Sequence, residues 1–199
     1  ALEALGAPGF SWYCFYDRQQ SIYQTAGQWE PPFQAAPMQL DANLRNTRPI
    51  GELAARLGRC SVPQTFRVDS GETPEVQMCK DFADMAGQLR QLLGNLLRQQ
   101  ALLPEQVAVL SPYRPDKPGS TWVTGLESFA VSTDLAGPVV GKVRLGTIQG
   151  FKGLEADVVI LVGIDAKACQ HPENLYVGAS RARAVLYVLA LEGAELLSV

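Results

Sequence analysis

Four polar clusters in this 199-residue chain hold the residue types that could do chemistry: DRQQSIY at 17–23, NTRP at 46–49, TIQGFKGLE at 147–155 and GASRAR at 178–183. The third is the most telling. It sets Lys152 and Glu155 among glycines directly ahead of the run VVILVGI. A plain connection has no use for both ions, whereas a polar ligand site does. Each cluster alone also has an ordinary reading, since Asp with two Gln makes a common loop and Arg-x-Arg is commonly a solvated helix face. Their joint order along the chain is what favours a site.

The elements that must carry these clusters follow from periodicity. SWYCFY at 11–16 reads as a buried strand, and MQLDANL at 38–44 as a second. Ile50, Leu53, Ala54 and Leu57 repeat at helical spacing, with Gly58 as a stop. After a weak strand at 75–79, the stripe Phe82, Met85, Leu89, Leu92, Leu93, Leu96 and Leu97 predicts a helix between Asp81 and Gln100. Strands are expected at 106–110, 129–131, 143–148, 157–164 and 185–191, with helices at 122–126 and from 174 to about 183. The best strands are continuously apolar, so both faces are covered, as in a parallel sheet between helical layers. Ligands in such sheets gather at the carboxyl ends of strands, and the polar clusters are expected at such ends or at the helix starts beside them, with GASRAR on the last helix.

Bulk properties narrow the function. Hydrophobic residues make up 47% and mean hydropathy is near zero, so the chain folds around a core. A net charge of −3 argues against a dedicated basic nucleic-acid module. No apolar run is long enough to span a bilayer and no signal peptide is legible. Cys14, Cys60, Cys79 and Cys169 form no CxxC pair, and His171 is the single histidine. No metal site is expected from them; reduced cysteines of a cytoplasmic protein are.

The clusters resemble, in order, the motifs of superfamily 1 helicases of the UvrD/Rep type. DRQQSIY resembles motif III, LRNTRPIGEL motif IV, TIQGFKGLEADVVIL motif V and LYVGASRARAVLYV motif VI. The resemblance spans about 12–191 and implies an α/β fold, a RecA-like three-layer sandwich with a mostly parallel sheet, of the second motor domain type. It implies that residues 1–36 close a first motor domain and that 37–199 form the second. It also implies an ATP-dependent DNA helicase that moves on single-stranded DNA, with ATP and Mg2+ held mainly by its own N-terminal motor domain.

By resemblance, Arg181 is the principal arginine finger, Arg48 a second γ-phosphate contact and Gln20 the residue that senses the γ-phosphate and positions water. Arginine suits such a task because its planar fork pairs phosphate oxygens. Glu155, Gly153, Lys152 and Tyr23 are expected at the nucleotide, and Thr147 and Gln149 at a DNA phosphate. The loop 147–155 would then be a two-sided coupling element.

The chain departs from the pattern in places. Gln149 stands where motif V has histidine, Ser180 where motif VI has threonine, Thr47 where motif IV is read to have an aromatic, and Tyr16 where motif III begins with glycine. No G-x-x-x-x-G-K-(S/T) loop occurs in the 199 residues. The expectation is therefore the rear part of a longer helicase, inactive alone. Two alternatives stand beside it: a helicase-like module that docks on a partner and hydrolyses nothing, and an RNA-directed relative.

Overall fold

The computed structural model describes residues 42–117 and 120–196. The expected domain boundary near Pro37, and with it Gln20 and Tyr23, lies outside the described residues.

Six strands form one parallel sheet in the order β3-β8-β7-β4-β6-β5, comprising β3 (Glu75–Cys79), β4 (Val107–Ser111), β5 (Val131–Ser132), β6 (Val143–Thr147), β7 (Ala156–Ile164) and β8 (Ala182–Leu191). Strand alternation sorts their side chains into two cores. Ala108, Leu110, Val159, Leu161, Leu186 and Val188 face one side, with α1 (Arg48–Leu57) and α3 (Pro172–Ala179). Val107, Val109, Val158, Ile160 and Val162 face the other, under α2 (Phe82–Gly94) and the buried Trp122. Helices on both faces make the three-layer α/β sandwich expected from the apolar strands. Among the described residues, no helix is long and apolar enough to cross a membrane.

A second, two-stranded parallel sheet pairs β1 (Ala42–Thr47) with β2 (Thr65–Val68) around α1. β2 escapes sequence reading because Phe66 is its one buried residue. β1 runs later than expected, so Asn46 and Thr47 belong to the strand and Arg48 opens the helix. The long helix also ends earlier, at Gly94, and closes through a π turn over Asn95–Gln99.

α3 stops at Ala179 rather than near Arg183. The hydroxyl of Ser180 and the Nε of Arg181 both donate to the carbonyl of Val177, at 3.1 and 3.0 Å. These side chains satisfy a helix-end carbonyl that one more turn would otherwise have used. The chain then enters β8 at Ala182, which places Arg181 in the turn between the two.

Candidate functional site

The link from β6 to β7 positions most of the candidate residues. The two strands are parallel, with β4 between them, so the chain must return from the carboxyl end of one to the amino end of the other. It does so without a helix. Phe151 N donates to Thr147 O at 3.1 Å to form a tight turn, after which the crossover lies on the α1/α3 face with Ile148 and Phe151 buried in that core. Gly178 of α3 packs so closely here that a Cβ would come within 2.9 Å of Leu161 and 3.0 Å of Ile148. Gly153 has φ +88, a left-handed conformation that glycine accepts without strain.

The crossover therefore divides the predicted residues between two edges of the sheet. Thr147 and Gln149 stay at the carboxyl edge. Gly153 and Glu155 reach the amino edge, with half-buried Lys152 between. The expectation of a carboxyl-end site is thus corrected for Glu155, which precedes β7, and Arg181 and Arg183, expected on the last helix, stand in the turn before β8 and at its start.

At the amino edge, Asn43 Oδ1 accepts from the backbone N–H of Arg45 and of Asn46, each at 3.0 Å, and the β1 register shifts there. This local turn leaves Leu44 68% exposed and aims Arg45 at Glu155, where Nε pairs with Oε1. Arg183 approaches the other carboxylate oxygen at 4.0 Å and Asp157 at 3.7 Å. Leu44, Arg45, Glu155 and Arg183 line one open cleft. Exposed pairs of this kind contribute about 0–1 kcal/mol, so an incoming anion can replace Glu155 as a partner at little cost.

Buried Asn46 secures the neighbouring turn. Its Nδ2 donates to the carbonyls of Ser180 at 3.0 Å and Ala182 at 2.6 Å, on either side of Arg181. Arg181 is thereby brought beside β1, but its fork turns inward: the residue is 1% exposed, and Nη2 donates to Ser180 Oγ at 3.1 Å.

Arg48 goes elsewhere. Its Nε and Nη2 donate to Asp69 Oδ1 at 3.0 and 2.6 Å, and its guanidinium lies 4.8 Å from the Phe66 ring centroid. Arg45 and Arg183 line the cleft beside Glu155, although the sequence reading gave neither a role. The signal for Arg45 was present, because Asn43-Leu44-Arg45 fits an Asn-x-Arg pattern as well as Asn46-Thr47-Arg48 does.

The carboxyl edge is built mainly from hydroxyls and amides, with one carboxylate, Asp165, among them. Thr147 Oγ1 accepts from Gly150 N at 3.0 Å, and Ser111 Oγ from Tyr113 N at 3.1 Å. Tyr113 donates its phenol to Asp165 Oδ1 at 2.7 Å, and burial followed by that carboxylate pushes its pKa up. Among the described residues, no group of three or more His, Cys, Asp or Glu could hold a metal.

Residues 142–189, from just before β6 into β8, match the UvrD-like helicase C-terminal domain. Among solved structures, the C-terminal domain of a possible DNA helicase from Lactobacillus plantarum WCFS1 is similar, with a TM-score of 0.60 and 18% identity over 78% of this chain and 92% of that one. At that identity the likeness is one of fold. The PRRSV helicase gives a TM-score of 0.37 and 17% identity over 77% of this chain and 23% of that one. No curated protein matches.

Proposed function

We propose that this chain, whose residues 142–189 match the UvrD-like helicase C-terminal domain, is the second motor domain of an ATP-dependent helicase or translocase acting on single-stranded DNA. The observation that supports the reading is the crossover 147–155, whose two ends stand at opposite edges of the sheet. One end stands beside a cleft whose donor set suits a nucleotide: guanidiniums for phosphate oxygens, the Glu155 carboxylate for a ribose hydroxyl, Leu44 for an apolar base face. The other end offers Thr147, Gln149 and backbone amides to a nucleic-acid phosphate.

ATP, when bound with Mg2+, supplies a γ-phosphoryl group for transfer to water, and the other motor domain holds most of it. This chain closes on it from one side. Arg45 faces the phosphates by exchanging Glu155 for them, and Glu155 is then free to accept from the sugar. Arg181 reaches the same edge once its fork leaves Val177 and Ser180, and Asn46 keeps its backbone aimed there. Lys152 and Gly153 complete that wall. Arg48 supports the start of α1.

The inward fork of Arg181 favours a second reading, a helicase-like module that binds a partner and hydrolyses nothing. One experiment separates the two. In the full-length protein, turnover is expected to rise with single-stranded DNA, and Arg181→Ala is expected to lower it by about 10³-fold while leaving DNA affinity intact. Near-normal turnover in Arg181→Ala would remove the finger assignment. Absence of DNA-stimulated turnover in the wild type would favour the binding module.

A further inference from the structure

Arg144 is a buried cation for which the proposed chemistry has no use. It stands on β6, three residues before Thr147. Val143 and Leu145 on either side point into the α2 core, so alternation turns Arg144 to the face covered by the crossover. It is 3% exposed. Its Nη2 donates to the carbonyl of Glu155 at 2.9 Å, and its guanidinium carbon lies 4.8 Å from the centroid of the fully buried Phe151 ring. Its Nε has no partner. Burial pushes the guanidinium below its ordinary pKa, and the charge of Asp157 opposes that shift.

A buried guanidinium with an open donor is an unfavourable way to fill space, since a linear apolar side chain would fit the slot without a desolvated charge. The arginine adds a hydrogen bond and a stacked plane, and both are directed at the crossover. One contact holds its middle at Phe151 and the other its amino-edge end at Glu155. The strand that carries Arg144 ends at the opposite edge, in Thr147.

We infer that Arg144 is a positioning residue that fixes the two ends of the crossover relative to one another, so that a displacement of Glu155 at the nucleotide edge reaches Thr147 and Gln149 at the nucleic-acid edge. This rests on the motor reading above. Arg144 acts through Glu155 and Phe151, and its effect belongs to the coupling between the two edges.

The test uses the full-length protein, ATP and an oligothymidylate. Arg144→Met keeps a long linear side chain and removes the donors. Turnover without DNA is expected to stay within about twofold of wild type, while the DNA-stimulated increment falls about tenfold. Amide exchange across 148–155 is expected to quicken while the strands of the sheet keep their protection. Arg144→Lys, which restores the charge and a donor without the planar fork, is expected to recover part of the increment.

Stimulation of Arg144→Met equal to wild type overturns the inference. So does an equal proportional loss of basal and stimulated turnover, which marks a merely structural role. A wild type that DNA does not stimulate overturns the motor reading instead. Should Arg144→Met fail to fold, Phe151→Leu removes the stacked plane while keeping apolar bulk, with the same expected and overturning results.

Discussion

The amino and carboxyl edges of the sheet are built from different materials. At the amino edge, Arg45, Glu155, Arg183 and Asp157 are charged and substantially exposed, with Arg45 bonded to Glu155 and Arg183 standing 3.7 to 4.0 Å from the two carboxylates. At the carboxyl edge, Ser111, Tyr113, Thr147 and Asp165 hold one another and nearby amides through short, specific hydrogen bonds. Exposed ion pairs exchange partners readily, whereas hydroxyl and amide networks keep their shape. The contrast suits an edge that trades partners, joined by the crossover to an edge that serves as a fixed rim.

The largest expected effect comes from cutting that join. Phe151 is fully buried, and Phe151→Ala should cost about 3–5 kcal/mol in urea unfolding. A loss below about 1 kcal/mol would mean that the crossover is not packed as part of the core.

Tyr113→Phe probes the rigid rim and should cost about 1 kcal/mol near neutrality. The sign of its pH dependence is fixed by the upward shift. The folded state holds the phenolic proton more tightly than the unfolded chain, so this stabilisation is whole below the ordinary tyrosine value of about 10 and drains as pH rises beyond it. Tyr113→Phe should flatten that alkaline decline. Cys79, pushed to about 11 by burial and then by Asp84 and Asp81, and Tyr187, raised chiefly by burial, should sustain the remainder. An unchanged alkaline arm in the variant would contradict the Tyr113–Asp165 bond.

The smallest effect is expected at Arg48. Its partly exposed pair with Asp69 should be worth no more than about 0.5–1 kcal/mol after solvent screening, and Arg48→Ala should alter turnover less than Arg45→Ala does. The reverse order of turnover would return the phosphate contact to Arg48.

Much of this arrangement was legible in the sequence. Continuous apolar runs announced a parallel sheet covered on both faces, and the polar loop 147–155 stood out between two of its strands, whereas the turn at Arg181 did not, because the apolar and small residues of 174–183 read as one helix. Arg45 competes with Arg48 for the motif IV role because Asn-x-Arg occurs twice, three residues apart, and local sequence cannot choose the register. Arg144 was hidden within the strand pattern VRLGT, where alternation alone would send a charge to solvent. In the fold it lies against the crossover, at Glu155 and Phe151. The division of 147–155 between two edges was also out of reach, because it depends on how β6 and β7 each register against β4.

That register also says where the polypeptide can be lengthened. Thr147 stands level with Ser111, and Val158 with Val107, so Ala156 begins about 20 Å back along the sheet and two strands across. The eight residues between can reach at most about 30 Å, and the turn after Thr147 consumes much of the surplus. The connection is nearly taut. Inserted tags, dyes or new chain termini belong around Gly137 to Gly141, where added atoms meet open space, and a graft between Thr147 and Ala156 would introduce slack into a nearly taut connection.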